Sequence, residues 1–262
     1  MGFTYAEAMA KSNFLKAGDV MIFDKDPAKQ KELRACGLFE VHTELASCLL
    51  HADIIFLAVK PAHAKALMQA IKPLLNHEQL IISVMAGVTI SAIENALGSN
   101  KIVRAMPNLP ALVGLGMTSF TASQGVSKLE LSTVELLLNT TGKSIRLDSE
   151  QAIDASTGIS GSGPAYIFYF MESMMDAAKK MGFSVSEARL LVGQTFAGAI
   201  ELFNTHDLEP QEWIQRVASK GGTTQAAIDS MEENHVKELI KEAAYAAFYR
   251  ASQLGKEFSH AG

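Results

Sequence analysis

The residues best equipped for chemistry sit in two glycine-rich segments of the second half of the chain. Ser219-Lys220-Gly221-Gly222-Thr223-Thr224 runs into an alanine-rich stretch that reads as helix. Two glycines and two threonines at a helix start combine free amides, the positive end of the helix dipole and hydroxyl donors. That set suits a substrate carboxylate, with a hydroxyl left over for a second polar atom. A plain threonine cap is the other reading of the same pattern. The second segment is Thr157-Gly158-Ile159-Ser160-Gly161-Ser162-Gly163-Pro164-Ala165-Tyr166, where dense glycines let the chain turn tightly and offer amides to an anion. It is not a serine-hydrolase elbow. Centring G-x-S-x-G on Ser160 puts Ser162 where the closing glycine belongs.

In the first half, three loops follow candidate strands: Ala58-Val59-Lys60-Pro61, Val84-Met85-Ala86-Gly87 and Met106-Pro107-Asn108-Leu109-Pro110. Open α/β sheets place their ligand crevice at such strand ends, and small residues there let a flat ring lie close to the backbone. Lys60 also reads as a solvated charge at a helix start. Asp24 ends the apolar run Asp19–Phe23, where a carboxylate would meet adenosine ribose hydroxyls, and Lys25 beside it could accept a ribose phosphate. Asp24-Lys25-Asp26-Pro27 is equally ordinary turn chemistry. The seven histidines are scattered without ligand spacing, so no metal site is expected, and nothing near Cys36 or Cys48 marks an activated thiol.

The elements that must position these residues follow from hydrophobic periodicity. Asp19–Asp24, Ile54–Val59, Leu80–Val84 and Lys101–Met106 read as buried strands. They alternate with helices at Ala6–Leu15, Pro27–Cys36, Pro61–Ile71 and Ile90–Leu97. That alternation means a doubly wound, Rossmann-like α/β sheet over residues 1–147. From residue 148 to 262 the pattern is helical throughout, with long helices at Pro164–Met181, Ser184–Asn204 and His235–Leu254. Gly182 and Ser184 fit a helix end and the following helix cap. Phe168, Tyr169, Phe170 and Met171, Met174, Met175 and Met181 suggest core or subunit interface, hence a dimerisation domain. A dinucleotide-binding unit should open with a strand and G-x-G-x-x-G. Here the chain begins inside that unit, with Gly2 as the last glycine of the fingerprint. The first strand is absent, which predicts either N-terminal truncation or a start assigned too far downstream, and two unpaired sheet edges.

Composition bounds the class. The chain has 262 residues, 48% hydrophobic and 19% charged, with a formal net charge of −5, which suits a globular protein rather than a disordered one. The acidic balance argues against a constitutive nucleic-acid binder. No apolar run approaches the roughly 20 residues needed to span a bilayer, and the first residues do not read as a secretory signal. Two cysteines read as reduced thiols of a cytoplasmic protein.

Taken together, Phe56–Pro61, Val103–Pro110, Ser160–Tyr166 and Gly221–Thr224 resemble the pyrroline-5-carboxylate reductase family, over about Gly2 to Leu254. The resemblance implies a Rossmann domain followed by a helical dimerisation domain. It implies NADPH- or NADH-dependent reduction of Δ1-pyrroline-5-carboxylate to L-proline, the last step of proline biosynthesis. It also implies a homodimer, often built into larger rings, with the active site between one subunit's nucleotide domain and its partner's helices. By position, Ala58, Val59, Lys60 and Pro61 with Val84, Met85 and Ala86 would line the nicotinamide side. Thr223 and the amides of Gly221 and Gly222 would hold the substrate carboxylate, with Ser219 helping. Thr224 matches the family threonine whose hydroxyl reaches the ring nitrogen, and Glu150 sits where some members place a substrate-side acid. Hydride transfer to a C=N carbon needs positioning and a dry pocket rather than a strong base. Lys220 replaces a usual proline. Asp24 stands where many members carry Asn followed by Arg, which implies greater tolerance of NADH. Two other readings compete. A β-hydroxyacid-type dehydrogenase would want a base such as lysine where this chain has Ser162–Tyr166. A truncated, catalytically impaired family member would still dimerise.

Overall fold

A computed structural model of the chain describes residues 1–16 and 18–260, with side chains described through residue 257. The His260 side chain and the last two residues of the expected helical domain lie outside the described residues.

The first helix, α1 (Gly2–Ala10), is followed by β1 (Met21–Ile22), α2 (Pro27–Ala35) and β2 (Glu40–Val41). Next come α3 (Leu45–Leu50), β3 (Ile54–Leu57), α4 (Ala64–Ile71), β4 (Leu80–Ser83), α5 (Ile90–Leu97) and β5 (Ile102–Met106). The sheet half ends with β6 (Gly116–Ala122), α6 (Lys128–Leu138) and β7 (Gly142–Arg146). One sheet has five strands in the order β3-β4-β5-β6-β7, parallel from β3 to β5, with β6 antiparallel to β5 and β7 parallel to β6. The other is the parallel pair β1-β2.

Side chains alternate along each strand, so one strand feeds two cores. Leu80 and Ile82 of β4 enter a core with Tyr5, Val103 and Phe120, while Ile81 enters the opposite one with Ile55, Leu57, Ile93 and Ile102. Helices thus cover both faces of a Rossmann-like sheet, as the sequence predicts.

The expected unpaired edges are seen among the described residues, where β1 pairs with β2, β3 pairs with β4, and the two sheets are separate. Helix α1 spans the division through apolar contact. The Tyr5 ring lies 5.7 Å from that of Phe56, and Tyr5, Val20 and Ile82 share one core. The Tyr5 hydroxyl meets Thr118 Oγ1 of β6 at 2.7 Å.

Several expected boundaries shift. Helix α1 covers Gly2–Ala10 rather than Ala6–Leu15, because the Ser12 hydroxyl donates to the Met9 carbonyl at 2.6 Å and closes a turn there. The Asp19–Asp24 strand shortens to Met21–Ile22, a run with a neighbour on one side only. Strands β2, β6 and β7 were not expected. They are short, or open on glycine, or carry charges such as Lys143 and Arg146 that suit an edge strand.

Beyond Arg146 every described element is helical. Helix α7 (Glu150–Ser156) passes through a π-helical turn (Thr157–Gly161) into α8 (Gly163–Lys180), α9 (Val185–Thr205), α10 (Pro210–Val217), α11 (Thr223–Glu233) and α12 (Val236–His260). Ser184 caps α9 in a reciprocal box with Glu187. The chain forms two compact units. One comprises Met1–Ser162 with the end of α12 from Ala246, and the other Gly163–Tyr245. In the second unit α8 and α9 pair as an antiparallel hairpin through Met181–Ser184, and Ala188 and Val192 are the buried residues of α9. No helix among the described residues is long and apolar enough to cross a membrane.

Candidate functional site

Parallel strands β3 and β4 end at Leu57 and Ser83, just before Ala58 and Val84, so both expected nicotinamide-side loops lie at the carboxyl edge of the sheet. Ala58, Lys60 and Ala86 are exposed, and Val59 and Val84 half-buried. Pro61 opens a 3-10 turn whose preceding residue is Lys60. Met85 differs from the rest: it is buried in the core beneath α5, its amide donates to Ser83 Oγ and its carbonyl accepts the Val88 amide, each at 3.4 Å, so it backs the loop rather than facing the rim.

Gly2 joins this rim. A Cβ built on Gly2 would fall 2.8 Å from the Ala58 Cβ, a separation that glycine alone tolerates without movement. The amino end of α1 carries no side-chain cap, and so presents free amides and a positive dipole end next to Ala58. Asp24 follows β1. Its Oδ1 accepts the Asp26 amide at 2.9 Å, Lys29 Nζ stands 4.0 Å from Oδ2, and Gln30 Nε2 donates to the Asp24 carbonyl at 2.7 Å. The turn reading of Asp24 therefore holds in geometry, with the residue half-buried and Lys25, next in the chain, exposed. Small residues at the strand ends, an uncapped helix start and a carboxylate after β1 together fit a nicotinamide dinucleotide.

In the helical unit, Ser219–Thr224 forms a tight turn into α11. Gly221 takes φ +74°, a left-handed conformation that glycine adopts without strain. The Gly222 amide donates to the Ser219 carbonyl at 2.9 Å, and a Cβ on Gly222 would fall 2.6 Å from Ser219 Oγ. Gly222 is itself the N-cap of α11 and no side chain caps that helix. Thr223 and Thr224 occupy its first two positions, so the threonine-cap reading fails. The first amides of α11 have no partner within the helix, and the hydroxyls stand beside them, Thr223 exposed and Thr224 half-buried. Lys220 is exposed.

Glu150 belongs to the sheet unit, at the start of α7. Its Oε1 accepts the Ile90 amide at 2.9 Å and the Arg104 guanidinium at 3.0 Å. It also reaches a shallow groove of about 560 Å³ along α5, which none of the other expected site residues lines.

Arg104 and Asp154 organise the site without having been given a role from the sequence, together with Asn108 of the third strand-end loop named there. Arg104 pairs with Asp154 at 2.6 Å as well as with Glu150. Buried Asn108 accepts the Met117 amide at 2.9 Å and donates to the Ser160 carbonyl at 3.0 Å, which joins the Met106–Pro110 loop to the glycine-rich segment. A charged residue inside Ile102-Val103-Arg104-Ala105 was the available signal for the first, since a buried arginine demands partners.

Comparison with known proteins agrees with this geometry. Residues 150–254 match the family model for pyrroline-5-carboxylate reductase dimerisation, and residues 1–87 match a model described as NADP oxidoreductase, coenzyme F420-dependent. The chain is 39% identical over 235 residues to the pyrroline-5-carboxylate reductase of Pseudomonas aeruginosa, covering 88% of this chain and 86% of that one. A solved pyrroline-5-carboxylate reductase from Coxiella burnetii is 33% identical with a TM-score of 0.89, covering 97% of this chain and 94% of that one. The Plasmodium falciparum pyrroline carboxylate reductase with NADP bound is 31% identical with a TM-score of 0.87, at the same coverage. With these relatives spanning most of its length, this chain belongs to the pyrroline-5-carboxylate reductase family.

Proposed function

We propose that the chain catalyses the NAD(P)H-dependent reduction of Δ1-pyrroline-5-carboxylate to L-proline, the last step of proline biosynthesis. The observation that carries this reading is the uncapped start of α11, with Thr223 and Thr224 beside free amides, in a chain whose family membership extends over 88% of its length.

The cofactor supplies the hydride when bound. When bound, the dinucleotide would set its pyrophosphate at the amino end of α1 beside Gly2 and its adenosine ribose toward Asp24 and Lys25. The backbone of Ala58–Pro61, with Val84 and Ala86, would support the nicotinamide ring. Ser219, the amides of Gly221 and Gly222 and the Thr223 hydroxyl hold the substrate carboxylate. The Thr224 hydroxyl would donate to the ring nitrogen, which orients the C=N carbon for hydride; the nitrogen carries the proton of the iminium form, taken from solvent, so that hydride addition at carbon gives the neutral amine. A general base is not part of this chemistry, in keeping with the absence of any histidine from these segments.

The functional division is 1–147 for the dinucleotide and 148–262 for dimerisation and substrate, and the family model for dimerisation begins at residue 150. We place the protein in the cytoplasm as a homodimer or ring of dimers. Exposed Ile167, Phe168, Tyr169 and Leu190 of α8 and α9 support that assembly, because a monomer seldom leaves so many large apolar groups on one pair of helices.

The test is loss of nicotinamide absorbance on adding Δ1-pyrroline-5-carboxylate, with proline identified by mass spectrometry. Stoichiometric proline formation is expected. Cofactor turnover only with a β-hydroxyacid would favour the dehydrogenase reading, and absence of turnover with a folded dimer would favour an impaired family member.

A further inference from the structure

Arg104 lies on β5 between two core residues, Val103 and Ala105, and its own side chain is 4% exposed. A guanidinium so placed requires charged partners. It has two, and they fit its fork: Nη1 donates to Glu150 Oε1 at 3.0 Å and Nη2 to Asp154 Oδ1 at 2.6 Å. Glu150 and Asp154 are one helical turn apart on α7, so both carboxylates face the strand together. The same Oε1 of Glu150 accepts the amide of Ile90, the first residue of α5, at 2.9 Å. That residue follows directly on Val84–Thr89, the loop that leaves β4 past the nicotinamide side.

The chain from Glu150 to Ser162 is thus tied to β5 and its following loop at both ends. Arg104 holds α7, and Asn108 holds the π-helical turn through Ser160. After Ser162 the chain leaves the sheet unit for the helical unit, and it returns on α12 at Ala246. Both connections reach one cavity of about 260 Å³ whose wall includes Ala86, Gly87, Arg104, Asp154, Ser162 and Leu254. The guanidinium therefore stands where the nicotinamide-side loop meets the outgoing and returning connections.

We propose that Arg104 is a positioning residue for the hydride-transfer reaction, its fork to Glu150 and Asp154 fixing the connection between the two units against the Val84–Gly87 loop. The proposal rests on the reductase reading above. It gives Glu150 an indirect part in the reaction, acting through Arg104 and the Ile90 amide rather than on the substrate.

Arg104→Lys separates positioning from simple charge neutralisation, because lysine keeps the charge and lacks the planar fork. Steady-state kinetics with both substrates, thermal melting and amide hydrogen exchange over residues 150–162 are measured on the full chain. The expected result is a melting temperature near that of the unaltered protein, an unchanged KM for NAD(P)H and kcat lower by about tenfold. Faster exchange confined to residues 150–162 is expected alongside. Unaltered kcat and exchange would overturn the proposal, as would an activity loss that merely tracks the folded fraction. If Arg104→Lys does not fold, Asp154→Asn, which keeps shape and removes one charge, is read by the same criteria. Failure of the reductase reading would show as inactivity of the unaltered protein, and the exchange measurement would still decide whether the fork orders the connection.

Discussion

In the sheet unit β4 buries all four of its residues and α6 fully buries Val134 and Leu138, whereas α8 in the helical unit buries none of its eighteen. Phe168 is 58% exposed and Tyr169 71%, although the Ile167–Met171 run around them is apolar. Hydrophobicity alone does not distinguish the two regions. The side chains of β4 are covered on both faces by the same chain, while the extensive packing of α8 is against α9. The sheet unit closes its own core, and the helical unit presents an apolar surface that a second copy would cover. The candidate chemistry divides along the same line, with dinucleotide loops in one unit and the carboxylate turn in the other.

The largest effect that would sharpen this comparison is expected at Thr224. Removing its hydroxyl with Thr224→Val should lower kcat/KM for the pyrroline substrate by about 10²–10³-fold, as for loss of one preorganised donor. Next is a pair of truncations read by melting at several protein concentrations. Leu138→Ala empties a fully buried site and should cost about 2–5 kcal/mol whatever the concentration. Phe168→Ala should make the melting temperature more dependent on concentration, because its cost falls on association. Equal, concentration-independent losses for both would break the contrast.

A smaller effect is expected at the adenosine end. Asp24→Asn should raise kcat/KM for NADPH relative to NADH by about tenfold, since a carboxylate at the rim repels a ribose phosphate. The smallest concerns the link between α1 and β6. Burial pushes the Tyr5 phenol above its ordinary pKa, against hydrogen bonds from Thr118 and Thr141 that lower it. An acid whose folded pKa is raised contributes stability that is complete below its unfolded value, about 10. That contribution is lost as pH rises through the folded value. Tyr5→Phe should cost about 1 kcal/mol near neutral pH and flatten the decline in stability above the tyrosine range, measured by denaturant titration.

The sequence made the parallel strands legible because β3 and β4 are largely apolar runs and only Arg104 interrupts β5, and Ile90–Leu97 was read to the residue, a helix that the structure caps with Thr89 and ends at Gly98. It hid β6, whose buried Thr118, Ser119 and Thr121 break the apolar pattern, and β7, a charged edge strand, both paired nonlocally. Of the candidate site, the glycine-threonine turn was visible as a pattern, but only geometry shows that Gly222, and not a threonine, occupies the cap. The partners of Arg104 were invisible for a different reason: they lie 46 and 50 residues away, joined by folding rather than by spacing. The burial of Met85 likewise follows from α5 packing over it, a contact that its loop position does not reveal.

The central claim is that cofactor and substrate are held by different units. It is tested most directly by isothermal titration of NADPH and NADH into the unaltered chain and into Thr224→Val. The account expects the same cofactor Kd in both proteins while the variant loses turnover of the pyrroline substrate. Loss of cofactor binding in Thr224→Val, or full turnover by it, would contradict the account.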